Sequence, residues 1–165
     1  MSLDLKIKAG DFVVYPTHGV GKVEGIETQQ IGEFTLDVIV IFFEADRMTL
    51  RVPVTKAEKS GLRKLSTNKV MDDAISTLRG RARSKRAMWS RRAQEYETKI
   101  NSGNPVAIAE VVRDLHRANG QAEQSFSERS MYQSALERLA RELAAVEAID
   151  EDAAAKRLED VLQAA

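Results

Sequence analysis

Phe34-Thr-Leu-Asp-Val-Ile-Val-Ile-Phe-Phe-Glu44 is the stretch on which the fold turns. Successive side chains of a strand point to opposite faces, and here both alternating sets are mostly apolar: Phe34, Leu36, Val38, Val40 and Phe42 on one side, Ile39, Ile41 and Phe43 on the other. Such a strand needs cover twice. Around it, residues 1–65 hold six of the nine glycines and two of the three prolines, set between short Val/Ile/Phe-rich runs. Strands are predicted at Asp11–Tyr15, Val20–Thr28, Phe34–Glu44 and Arg47–Val54, a spacing that suits a small antiparallel barrel. About 65 residues hide one face of such a strand but not two. Ile39 and Ile41 are therefore assigned to the outer face, against the rest of the chain or another protein.

After Leu65 the apolar period changes from two to between three and four. Helices are predicted at Asn68–Leu78, Ser84–Asn101, Pro105–Asn119, Ser127–Ala148 and Glu151–Leu162. Gly103 and Gly120 suit C-terminal caps, Asn104 followed by Pro105 suits an N-cap and first helical position, and Ser125 or Ser127 can cap the next helix. Apolar stripes such as Val106, Ile108, Val111, Val112 and Leu115 supply the core of a compact bundle. The class is α+β: a small antiparallel β-barrel over residues 1–65, then an all-α helical domain over residues 66–165.

Lys+Arg and Asp+Glu are 25 each among 165 residues, a net charge of zero, but the charges are not evenly spread. Residues 1–65 carry 9 basic and 9 acidic groups, residues 66–99 carry 9 and 4, and residues 100–165 carry 7 and 12. The acidic C-terminal part would discourage stray duplex binding. Cysteine is absent, which removes disulfides, thiolate nucleophiles and cysteine-based metal sites and suits a reducing cytoplasm. No stretch approaches the ~18 apolar residues of a membrane span, and Met1 to Gly10 has no signal-peptide pattern, so no membrane association is expected.

The search for catalytic chemistry returns little. Gly19-Val-Gly21-Lys-Val-Glu-Gly25 departs from the dinucleotide fingerprint in its spacing, and Val23 stands where a P-loop needs Ser or Thr. Its glycines are assigned to a strand and tight turn. His18 and His116 have no carboxylate or second histidine at metal-ligand spacing and are assigned to surface or turn positions, His116 on a helix. Asp72-Asp73 and Asp150-Glu151-Asp152 are helix N-terminal charges. No catalytic residue, cofactor or metal is expected.

The exception is Arg79-Gly-Arg-Ala-Arg-Ser-Lys-Arg-Ala-Met-Trp-Ser-Arg-Arg92, seven cations in fourteen residues with no acid and with the only Trp. That is a phosphate-facing composition. On a helix, Trp89, Ala93, Tyr96 and Ile100 form one face, flanked by Arg91 and Arg92. An apolar stripe of this kind commonly faces the interior, whereas an aromatic bordered by Arg is what minor-groove binders insert at a base step. Both readings stay open for Trp89.

Asp11-Phe-Val-Val-Tyr-Pro-Thr-His-Gly-Val-Gly21, Ile26-Glu-Thr28, Leu50-Arg-Val-Pro53, Trp89-Ser-Arg-Arg92 and Ala109-Glu-Val-Val-Arg-Asp-Leu115 together resemble the CarD/CdnL family of bacterial transcription regulators. The resemblance spans nearly the whole chain in order. It implies a Tudor-like N-terminal barrel that binds the β subunit of RNA polymerase, and a helical domain that contacts promoter DNA just upstream of the minus-ten element. Trp89 matches a family Trp placed at the upstream edge of the melted bubble, where it stabilises the open complex. Arg91 and Arg92 match basic neighbours, which implies that both clamp DNA phosphate. Gln94 replaces the next family cation, so the expected DNA grip relies more on Arg83, Lys85 and Arg86. Toward polymerase, the resemblance implies Arg51 and, where the family has a second arginine, Gln29. Ile31, Met48 and Pro53 complete the expected contact, with Ile39 and Ile41 as further candidates. Met48, Leu50 and Val52 also alternate toward the barrel core. A non-enzymatic, monomeric, cytoplasmic regulator is expected, nucleoid-associated through polymerase. The competing reading is a protein–protein adaptor in which Trp89 is core.

Overall fold

A computed structural model of the chain describes residues 7–80, 88–116 and 126–164. The chain divides into two compact units, Met1–Leu65 and Ser66–Ala165.

In the first unit, β1 (Phe12–Tyr15), β2 (Gly19–Ile31), β3 (Phe34–Phe43), β4 (Met48–Pro53) and β5 (Arg63–Lys64) form an antiparallel sheet in the order β4-β3-β2-β1-β5. The α+β class and small antiparallel β unit expected from the sequence are borne out, with the main core of the unit on one face of the sheet. Val13, Val23, Ile39, Ile41, Phe43 and Val52 form that core, joined by Ala57 and Leu62 from the connection after β4. The assignment of Ile39 and Ile41 to the outer face is thereby corrected: they are 1% and 0% exposed. The reason lies on the neighbouring strand. A Cβ on Gly21 would sit 2.5 Å from Ile41 Cγ2 and 2.7 Å from Phe43 Cε1, so these side chains rest directly on β2 backbone and any other residue would push them out. Val38 and Val40, of the other set, are buried as well.

The second unit comprises α1 (Asn68–Leu78), α2 (Trp89–Asn101), α3 (Pro105–Leu115), α4 (Phe126–Glu147) and α5 (Glu151–Ala164). α3 packs against α1, α2 and α4, and α5 packs against α4 and α1. Thr67 caps α1 by accepting the Val70 amide, and Asn104 caps α3 by accepting the amides of Val106 and Ala107, with Pro105 in the first turn. Met71, Leu78, Tyr96, Val111, Leu139 and Leu158 are among the fully or nearly fully buried side chains of its core. Glu142, itself buried, accepts the Ser66 amide at 2.9 Å and ties the start of this unit to α4.

Three helix expectations change. Trp89 is the first residue of α2, with Met88 extended as its cap, while residues 84–87 of the predicted helix lie outside the described residues. α3 stops at Leu115 and His116 is already extended, so His116 follows the helix instead of lying on it; residues 117–119 lie outside the described residues. Ser127 sits inside α4, not at its cap, and Ser125 and Gly120 are not among the described residues.

Candidate functional site

The start of α2 gathers the aromatic and cationic residues singled out in the sequence. Met88 makes no side-chain cap, and the first turn has no acid. It carries Arg91 and Arg92 instead, although the positive end of a helix dipole favours anions there. Arg91 is exposed. Arg92 is half-buried: its guanidinium lies 5.6 Å from the Trp89 ring centroid and 5.8 Å from that of Tyr96, and it donates to the Tyr96 hydroxyl at 3.4 Å. The helical period explains the difference, since Trp89, Arg92 and Tyr96 are spaced i, i+3, i+7 along one face and Arg91 points about 100° away.

Trp89 itself is half-buried against the helical core, its ring 6.2 Å from that of the fully buried Tyr96. Its Nε1 donates to Ser127 Oγ at 3.3 Å. The predicted stripe of Trp89, Ala93, Tyr96 and Ile100 is thus realised, half-buried at its first two members and buried at the last two. Met88, 78% exposed beside Trp89, escaped the sequence reading; a lone Met within a basic run was the available signal. Arg83, Lys85 and Arg86 lie outside the described residues.

In the sheet unit, register sorts the predicted polymerase-contact residues. Arg51 pairs with Val40, Pro53 with Val38, Gln29 with Leu36 and Ile31 with Phe34, so all four share the face opposite the core. Ile31 is 60% and Phe34 78% exposed at the far end of the β2–β3 hairpin. Met48 pairs with Phe43 and packs on the core face. Arg51 faces Glu27 at 3.6 Å, both about half exposed, a surface pair worth at most about 1 kcal/mol and easily exchanged for another partner. Phe34, missed in the sequence reading, adds to the apolar end of this face; its place opposite Ile31 follows only from the register.

The two histidines differ. His18 stacks on Tyr15, with ring centroids 5.6 Å apart, and lies 5.4 Å from the Phe43 ring. Beyond α3, His116 Nδ1 lies 3.3 Å from the Tyr132 hydroxyl, and its Nε2 is buried with no partner among the described residues. Burial lowers the His116 pKa, opposed by the nearby Glu159 carboxylate; burial and Glu159 together push the Tyr132 phenol up to about 12. Among the described residues no helix is long and apolar enough to cross a membrane.

Fold and site define a two-unit α+β protein with a sheet face that carries an Arg51–Glu27 pair and an exposed apolar end in one unit, and an aromatic–cationic helix start in the other. Residues 7–66 match the family model "CarD-like/TRCF RID domain", RID denoting RNA polymerase interacting domain, and residues 73–159 match "CarD, C-terminal domain". "Putative transcription factor YdeB" of Bacillus subtilis (strain 168) is 30% identical over 142 residues, covering 86% of this chain and 93% of that protein. The solution NMR structure of the 72-residue N-terminal domain of Myxococcus xanthus CarD aligns at 33% identity with a TM-score of 0.32, covering 38% of this chain and 84% of that one. The chain belongs to the CarD family of transcription factors.

Proposed function

We propose that this protein binds the β subunit of RNA polymerase through its sheet unit and stabilises the promoter open complex through DNA contact by its helical unit. The observation that carries the DNA reading is the start of α2. Two arginines and a half-exposed Trp occupy a first helical turn that has neither an acid nor a side-chain cap. This arrangement costs the isolated helix a few tenths of a kcal/mol per charge, and a phosphate at the same place reverses the sign of that term. Arg91 and the candidates Arg83, Lys85 and Arg86 meet the backbone near the minus-ten element. Trp89 meets the upstream edge of the bubble as an apolar wedge.

Polymerase binding draws on Arg51, Gln29, Ile31 and Pro53, which share one face; Met48 supports that face from the core side. Held on polymerase, the chain needs no sequence readout, because tethering raises the effective concentration of a weak, backbone-directed DNA site. This accounts for DNA action by a monomer of zero net charge, located in the cytoplasm at the nucleoid.

The test is the lifetime of open complexes formed by the cognate polymerase after competitor challenge, without the protein, with wild type and with Trp89→Ala. Wild type lengthens the lifetime, and Trp89→Ala, folded by circular dichroism, returns it toward the protein-free value. A wild type that binds polymerase and leaves the lifetime unchanged overturns the reading in favour of an adaptor.

A further inference from the structure

We propose that Arg92 is a positioning residue for Trp89, acting with Ser127, and that Arg91 alone of this pair contacts phosphate. The purpose of the device rests on the wedge reading above; its existence does not. Three observations carry it.

The Arg92 guanidinium stands 5.6 Å from the Trp89 ring centroid and 5.8 Å from that of Tyr96, so one cation serves two π faces. Tyr96 is fully buried and fixed in the core, which makes it the wall against which Arg92 holds the indole. The Arg92 Nε is buried with no hydrogen-bond partner among the described residues, an orientation that satisfies the rings at the expense of the guanidinium's own donors. The Trp89 N–H is meanwhile held by Ser127 Oγ from the first turn of α4.

An indole held at its face by Arg92 and at its nitrogen by Ser127 has one orientation rather than several. A wedge meeting a base step gains from that, because less freedom is lost on contact. Arg91, one residue earlier and exposed, has no such engagement among the described residues. The repeated arginine is therefore divided by the helix into one inward and one outward function.

Trp89 is the only tryptophan, so intrinsic fluorescence of the full-length chain reports this residue alone. The set is wild type, Arg92→Gln, Arg92→Lys, Ser127→Ala and Arg91→Gln, each checked by circular dichroism. Loss of one cation–π contact raises the population of unbraced indole about two- to fivefold. Arg92→Gln and Ser127→Ala accordingly increase acrylamide quenching and lower the fluorescence anisotropy, and Arg91→Gln leaves both as in wild type. Arg92→Lys keeps the charge but lacks the flat guanidinium, and fails to restore the wild-type signal.

A salt titration of binding to short duplex DNA supplies the converse: Arg91→Gln lowers the log–log slope by about 1, and Arg92→Gln does not change it. Wild-type fluorescence in both Arg92 variants overturns the proposal, as does a slope lowered by about 1 in Arg92→Gln with full rescue by Arg92→Lys. If wild type itself leaves open-complex lifetime unchanged while the fluorescence differences persist, the wedge reading fails and the brace stands.

Discussion

Two arginine-bearing motifs of this chain, Trp89-Ser-Arg-Arg92 at the start of α2 and Ala109-Glu-Val-Val-Arg-Asp-Leu115 in α3, both enter the family resemblance and have opposite fates in the structure. In α3, Arg113 and Asp114 pair at 2.9 Å with side chains only 11% and 1% exposed, among Ala109, Val111, Val112 and Leu115, which are all fully buried. That charge is settled within the chain. At the start of α2 the cations have no acid in their turn, and Arg91 faces outward. The two motifs thus differ in burial: one closes its charge inside the chain, and the other turns Arg91 outward.

The comparison breaks most visibly at Asp114. Removing it in Asp114→Ala leaves the Arg113 guanidinium buried beside an apolar wall, and breaking a buried pair from one side costs about 3–5 kcal/mol. Urea denaturation followed by circular dichroism should register a loss of that size. If Asp114→Ala costs less than 1 kcal/mol, the α3 motif is not held by its internal pair and the contrast with α2 collapses.

How far this was legible in the sequence depended on whether local chemistry or distant contact decides each element. Asn68–Leu78 emerged with its observed bounds, and Asn104 with Pro105 fixed the start of α3, because caps are local. β5 was missed: Arg63 and Lys64 have no apolar alternation and become a strand only by pairing with Val14 and Val13. The face of Ile39 and Ile41 was inverted because both sides of β3 are apolar, and the deciding feature is the missing Cβ of Gly21 on another strand. α3 was extended past Leu115 because Asn119 and Gly120 offer a stop signal and His116 offers none. Arg91 and Arg92 look equivalent in a basic run; the helical period, which sets Arg92 between Trp89 and Tyr96, distinguishes them.

A second test uses pH at the end of α3, where the internal chemistry continues into His116 and Tyr132. Burial, with the Glu159 carboxylate, pushes the Tyr132 phenol from the ordinary 10.0 up to about 12 in the folded protein. Between these values the unfolded chain holds fewer protons, so stability falls as pH rises above 10. The His116 pKa is lowered from 6.5; below that value the unfolded chain takes up the proton more readily, and stability falls as pH falls. The helical unit should therefore show a plateau between these two arms. Tyr132→Phe should remove the part of the alkaline arm due to this residue, measured as the difference in denaturation midpoint between variant and wild type from pH 9 to pH 11. Parallel profiles would show that Tyr132 does not titrate differently in the two states.

The smallest effect on stability is the most telling about the α2 side. Arg91→Glu places an acid where the helix dipole favours one and removes a cation it disfavours, with no packing disturbed, since Arg91 is exposed. The helix should gain about 0.3–1 kcal/mol, and the denaturation midpoint should rise slightly. On the proposed DNA contact, the same substitution should weaken binding to DNA and shorten open-complex lifetime, because a carboxylate there repels phosphate. A change that improves the fold and harms the function is the mark of a residue kept for a partner. Asp114→Ala has no such split, since there the substitution weakens the fold. Should Arg91→Glu raise stability and leave both DNA readouts unchanged, the outward cation is a solvated surface charge, and the two motifs differ in burial alone.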